Sequence, residues 1–465
     1  MPALFHRSRH FWLALALIAA LGFALRVAGA QGALWLDEAW SAVMARDVGT
    51  PLGVFLSINH DNNHHLNSLW LQLVGFGAPP PWARAPAIVA STISIVVAAL
   101  IAARRGTGAA LVTALLFALS PMLVTLGSEA RGYAPMVLAL LVAVWLVDRW
   151  LAGDRDAERP VYLALCFGLG ALCQLTIVFG VVALVGWSFL TLWRRNGFRR
   201  AAIDTLRYFG TALIALAIVL AIVANAAWLS GSGFRFGTYA PFTTTDFLTG
   251  VTAAIGYTIG FPIQSAWLIA LPLGLLALAR GGSRLPFYLL AIIAFPLMLA
   301  ILHAGNTGYS RYYLLVTVAL LLLLGEIIGN ARGWTRWIAG GALVAIVVGS
   351  LAQDVDLARN RRGDPGAAIR IIAARAPGGA TIGFDAASGG AVIEAAAATA
   401  RYPATIVSED CPAPRFLYIA RFGGEAFPAT FTRCHTSYRL IAAARTTGLS
   451  GTHWTLYERL PGARP

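Results

Sequence analysis

Four short runs carry most of the chain's chemically capable side chains. The first is Leu34-Trp35-Leu36-Asp37-Glu38-Ala39-Trp40, where two adjacent carboxylates follow an apolar stretch. At a membrane boundary, burial and mutual repulsion raise one such pKa, which suits a general base toward a hydroxyl or amine, or a metal ligand. An ordinary hydrated acid pair is the plain alternative. The second run is Asn59-His60-Asp61-Asn62-Asn63-His64-His65-Leu66-Asn67, with three of the chain's eight His. Imidazole and carboxylate suit a divalent metal and Asn suits sugar hydroxyls, whereas a polar helix N-terminus capped by Asp61 or Asn63 needs neither. The third is Ser128-Glu129-Ala130-Arg131-Gly132-Tyr133, in which Arg131 offers a planar fork to a phosphate or a structural partner to Glu129. The fourth is Tyr309-Ser310-Arg311-Tyr312-Tyr313, with His303 just before it, suited to a lipid phosphate or to interfacial anchoring.

The rest of the chain is built to hold these runs in a membrane. Hydrophobic residues make up 58% and charged residues 12% of 465, against about 25% charged in a globular protein. A soluble or disordered chain is excluded. Windows of about 20 apolar residues give about eleven spans, near 11–29, 85–103, 108–127, 133–150, 160–174, 176–193, 208–228, 263–279, 286–303, 311–329 and 335–352. The expected fold is an α-helical polytopic membrane domain, 1–352, with long external loops at 30–82 and 229–262. No cleavable signal peptide precedes the first span, which reads as a signal anchor. Two spans meet near Cys173 and Gln174, and His65 to Phe76 is expected as an amphipathic interfacial helix.

Every one of the 35 basic residues behind the +14 net charge is Arg. With the N-terminus inside, sixteen fall in cytoplasmic segments and six in the opposite loops of the membrane part. The charge is therefore a topology signal and not a nucleic-acid surface. An odd number of spans places 353–465 in the periplasm of a bacterial inner membrane. That tail reads as a small α/β domain. A helix follows the Asp364-Pro365 cap to about Arg375, a second spans 388–400, and strands fall at Ala380–Phe384, Thr405–Ser408, Arg415–Ile419, Tyr438–Ala442 and Thr452–Leu460. Cys411 and Cys434 are expected to form a disulfide there, and Cys166 and Cys173 to be buried thiols.

The Asp37-Glu38 pair, the His-containing juxtamembrane segment, the S-E-A-R-x-Y turn and the late R-Y segment, in that order, resemble the C-type membrane glycosyltransferases. Within these the resemblance is to the group of protein O-mannosyltransferases and the aminoarabinose transferase. It implies inverting sugar transfer on the outer face from a polyprenyl-phosphate-linked donor to an envelope lipid, glycan or protein acceptor, among membrane lipids. It further implies Asp37 as general base and Glu38 in acceptor or metal contacts. Arg131 and Arg311 would hold the donor phosphate beside Tyr133 and Tyr312. Asp61, Asn62, Asn63, His64, His65 and Glu129 would line the acceptor and sugar site. A divalent metal, if used, would sit among Glu38, His64 and His303. Many relatives follow the loop His with Pro-Pro, where this chain has His64-His65-Leu66-Asn67, so either imidazole can match. Phe234, Arg235, Tyr239, Asp246 and Tyr257 of the second loop are expected to help form the pocket. A transporter or flippase, or a polysaccharide ligase, is the competing reading. Ionisable residues gathered at one rim and not at the bilayer midplane favour an enzyme.

Overall fold

The protein, seen in a computed structural model, is described over residues 8–237, 239–261, 282–385, 387–408, 413–421 and 425–460. Its apolar runs form α1 Arg9–Gly29, α4 Ala85–Ala103, α5 Thr107–Leu119, α6 Pro121–Leu126, α7 Tyr133–Leu151, α8 Pro160–Cys173, α9 Ile177–Asn196, α10 Phe198–Leu229, α12 Gly282–Ile301, α13 Leu314–Gly329 and α14 Thr335–Asn360. The segments expected to be external supply α2 Leu36–Val48, α3 His65–Val74 and α11 Thr244–Ile259. Ten of the eleven expected spans coincide with these helices; the stretch 263–279 lies outside the described residues. Eight helices among the described residues are long and apolar enough to cross a membrane, while α5 and α8 are shorter. The expected span 108–127 is broken at Ser120-Pro121, where proline opens α6.

The central helix is α13, apolar all round and buried along most of its length, as such a helix must be. It approaches α5 closely. A Cβ on Gly325 or Gly329 would strike Thr113 or Ala109 of α5, so small residues set this contact. Arg26 is on the last turn of α1 and fully buried, not in a loop. It donates to Ser91 Oγ of α4 and to the Gly22, Phe117 and Ala118 carbonyls, which offsets the cost of a charge in the bundle.

The C-terminal domain holds α15 Gly366–Arg375, α16 Ala387–Ala400 and six strands: β1 Ala380–Phe384, β2 Ala404–Val407, β3 Phe416–Arg421, β4 Thr430–Arg433, β5 Thr436–Ala444 and β6 His453–Arg459. The sheet order is β2-β1-β3-β6-β5-β4, parallel among the first three and antiparallel after. The sequence pattern shows five strands and misses β4, which has only four residues. Its hairpin turn is Cys434-His435, both at positive φ, as a tight turn of primed type requires. Cys434 is disulfide-bonded, Cys166 and Cys173 are free, and Cys411 lies outside the described residues. Asp364 does not cap α15; its carboxylate accepts from the Ala33 amide and pairs with Arg370. The domain shares one core with the segment between α1 and α2 and the start of α2. Ala33, Leu34 and Ala39 pack with Ile369, Ile382, Phe416 and Trp454. Arg362, fully buried, reinforces the junction by donating to Gly29 O, Thr125 O and the Ser128 and Ser450 hydroxyls.

Candidate active site

Asp37 sits in the first turn of α2, where the helix N-terminus favours a carboxylate. Its Oδ2 accepts from Arg131 Nη1 at 2.5 Å and from Arg311 Nη1 at 2.7 Å. Arg131 lies in the turn before α7, and Arg311 in the Ser310–Tyr313 turn that enters α13. Two distant segments of the bundle therefore close on one acid. Burial opposes ionisation of Asp37, but Arg131 and Arg311 outweigh it and hold the carboxyl below its ordinary range.

Arg131 is held on every side. Its Nη2 donates to Asn62 Oδ1 at 2.6 Å, its Nε to His64 Nε2 at 3.2 Å, and its guanidinium lies 4.9 Å from the Tyr133 ring centre. Because His64 Nε2 accepts, its Nδ1 carries the proton and donates to Cys173 O at 3.1 Å. Burial, then Arg131, pushes the His64 imidazole well below its usual pKa, so it is neutral. Asn62 also donates to the Asp37 carbonyl and to Ser41 Oγ.

These groups open on a cavity of about 980 Å³. Asp37, Asp61, Asn62, Arg131, Tyr133, Arg311 and Tyr312 all line it, with Gln174 from the α8–α9 junction, Trp40, and Phe234 and Tyr257 from the second-loop region. Asp61 contacts His60 Nδ1 at 2.8 Å and accepts from the Gly237 amide, which ties the 30–82 and 229–262 segments together. The extended pairing of His60 with Arg235 turns Phe234 and Phe236 to the cavity, whereas Arg235, Tyr239 and Asp246 are not among its lining. The loop between β5 and β6, Thr446 to Gly451, and His453 form another wall; the sequence carried no signal for this.

Other expected site residues lie elsewhere. Glu38 is fully buried and does not line the cavity. Its carboxylate takes Arg84 Nε at 2.8 Å and Nη2 at 2.6 Å, the Trp35 amide at 3.1 Å and the Ala130 amide at 2.6 Å. Asn63 donates to Val54 O and Ile58 O and accepts from Ser68 Oγ. His65 is buried, stacked 5.2 Å from Phe55. Glu129 is buried 3.9 Å from Arg362, and burial raises its carboxyl pKa. His303 is exposed, edge-on to Phe242.

The expected metal ligands Glu38, His64 and His303 are not brought together. The oxygens of Glu38 and both nitrogens of His64 are engaged, and Asp37 stands between two cations. Among the described residues no group of three His, Cys, Asp or Glu is disposed to hold a metal ion.

Residues 64–228, which include Arg131 but neither Asp37 nor Arg311, match the family described as dolichyl-phosphate-mannose-protein mannosyltransferase. No curated protein matches the sequence at a significant level. The structure is similar to ArnT from Cupriavidus metallidurans bound to undecaprenyl phosphate, with TM-score 0.56 and 14% identity over 98% of this chain and 100% of that one. The apo form of the same protein gives TM-score 0.56 and 13% identity over 88% and 93%. The archaeal oligosaccharyltransferase AglB from Archaeoglobus fulgidus gives TM-score 0.47 and 14% identity over 85% of this chain and 64% of its own. With a glycosyltransferase family match across its early spans and an ArnT-like architecture throughout, the chain has the C-type membrane glycosyltransferase fold.

Proposed function

We propose that the chain transfers a sugar from a polyprenyl-phosphate-linked donor to an acceptor at the end of the bundle covered by the C-terminal domain, with inversion at the anomeric carbon. The observation that carries this reading is a single ionised carboxylate, Asp37, between two guanidiniums at the wall of a large cavity. A single displacement needs one base, an oriented acceptor and charge stabilisation of a leaving phosphate.

Asp37 takes the proton from the acceptor's O–H or N–H. The acceptor atom forms its bond to the anomeric carbon, and the bond from that carbon to the phosphate oxygen breaks. The polyprenyl phosphate then departs with a second negative charge, in the field of Arg131 and Arg311. Asp61, Asn62 and Tyr312 present polar atoms to the sugar and acceptor. The undecaprenyl phosphate bound to ArnT and the lipid-phosphate sugar in the matched family's name support the carrier class. We place this end of the bundle, and the C-terminal domain, in the periplasm from the Arg distribution.

The test is mass spectrometry of envelope glycolipids, polysaccharides and periplasmic proteins. A deletion strain is complemented with wild type or Asp37→Asn at matched membrane levels. One sugar-bearing species should vanish and return only with wild type, while the polyprenyl-phosphate sugar accumulates. General-base loss costs about 10²–10⁴ in rate. Full restoration by Asp37→Asn would remove Asp37 as the base.

A further inference from the structure

The two arginines on Asp37 are held very differently. Arg131 spends all three of its nitrogens: Nη1 on Asp37, Nη2 on Asn62 and Nε on His64. Those partners are themselves anchored, Asn62 to the α2 backbone and His64 to the Cys173 carbonyl. Turning Arg131 away would strand an amide oxygen and a neutral imidazole in a buried setting, which is costly.

Among the described residues Arg311 has one hydrogen bond, from Nη1 to Asp37, and its buried Nε has no partner. Its remaining support is the Tyr309 ring, 5.1 Å away. It lines the cavity on the short turn entering α13. Both guanidiniums meet the same carboxylate oxygen.

We infer that Arg131 is the fixed positioning residue of Asp37, whereas Arg311 is the guanidinium that exchanges Asp37 for the donor phosphate, so that donor binding releases the base. This rests on the transferase reading and sets an order within it. Before the exchange, Asp37 is doubly paired and a poor proton acceptor. After it, Arg311 meets the phosphodiester with both faces of its fork, and its idle Nε gains an acceptor. Asp37 keeps Arg131 alone and becomes more basic. The acceptor proton then passes to Asp37, the acceptor oxygen or nitrogen bonds to the anomeric carbon, and the bond electrons leave with the phosphate against Arg311. Without donor, the acceptor meets an unreactive carboxylate.

The experiment measures affinity of the full-length protein in lipid nanodiscs for a polyprenyl monophosphate. Asp37→Asn removes the competitor for Arg311, so binding should tighten by about tenfold, the worth of one charge-assisted contact. Arg311→Gln should weaken binding by a similar factor and erase the gain from Asp37→Asn. Asn62→Ala should leave that gain in place. Arg311→Lys keeps the charge and serves as the folded comparison; there the gain should shrink and not vanish. A gain that persists undiminished in Arg311→Gln would be a general field effect and would overturn the exchange, as would no gain at all. Failure of the wild type to bind the monophosphate would instead sink the transferase reading itself.

Discussion

Glu38 offers the sharpest division between a chemical and an architectural role. The Glu38–Arg84 pair is bidentate and completely buried, and its carboxylate also receives two backbone amides. One of those amides belongs to Ala130, next to Arg131, so Glu38 pins the turn that carries Arg131 to the helix that carries Asp37. Glu38→Ala leaves Arg84 charged in a dry site, its remaining contacts being the Ala30, Gly32 and Ala33 carbonyls. Breaking a buried pair this way costs about 3–5 kcal/mol. With an unfolding entropy of about 2.1 cal/mol/K per residue, that lowers the melting temperature of a chain this size by roughly 3–5 °C. Replacing both partners, Glu38→Leu with Arg84→Met, should recover much of the loss, because the desolvation penalty of both ions disappears. The assay is thermal unfolding in nanodiscs, with turnover measured on the same samples. Polyprenyl monophosphate affinity and turnover should fall together with stability. Normal melting in Glu38→Ala with abolished turnover would refute the architectural reading and return Glu38 to the chemistry.

Three further outcomes follow from the site. Burial lowers the His65 pKa to about 4 from 6.5. The unfolded imidazole binds a proton below about pH 6.5 while the native one resists, so stability is lost as pH falls from 6.5 toward 4, by up to about 3 kcal/mol. His65→Phe, which keeps the stack on Phe55, should flatten the melting temperature between pH 7 and pH 5; an unchanged slope would assign the acid sensitivity elsewhere. Burial raises the Glu129 pKa above 4.5, so its native form resists ionisation and costs stability as pH rises through that range. Glu129→Gln should therefore melt higher at pH 8 than wild type and gain less at pH 5; a lower melting point at pH 8 would show that the contact to Arg362 wins. Leu449 both lines the cavity and packs on the bundle core. Leu449→Ala should cut acceptor kcat/KM by about tenfold, for a lost contact of ~1–2 kcal/mol, with polyprenyl monophosphate binding unchanged. Equal loss of both would mean the loop only braces the fold.

The spans were legible because each must satisfy the bilayer locally, by length and apolarity alone. That is why ten expected spans meet helices; the C-terminal strands and α16 fall close to their patterns for a different reason, the local alternation and turn residues that mark them. The Asp37, Asn62, Arg131 and Arg311 set was legible as types and order. The convergence of Arg131 and Arg311 on one Asp37 oxygen was not, because Asp37 and Arg311 are separated by 274 residues and only the packing of α13 through the bundle brings them together. Neighbours in sequence were separated just as firmly. Asp37 and Glu38 look equivalent on paper, yet a helix turns consecutive side chains about 100° apart, so one faces the cavity and the other Arg84. At the start of α3, His64 is the non-helical cap and His65 the first helical residue, so they part as well, His64 to Arg131 and His65 to Phe55. Gly132 shows the limit most plainly. A Cβ there would lie 1.8 Å from the Cys173 carbonyl, the group that orients His64, and no local pattern in the S-E-A-R-G-Y run announces that contact. Sequence alone determined a membrane helix bundle with acids, arginines and imidazoles at one rim. Tertiary packing decided which acid is free to act, which arginine is free to move, and that the C-terminal domain walls the cavity, because each depends on side chains that meet only once the chain is folded.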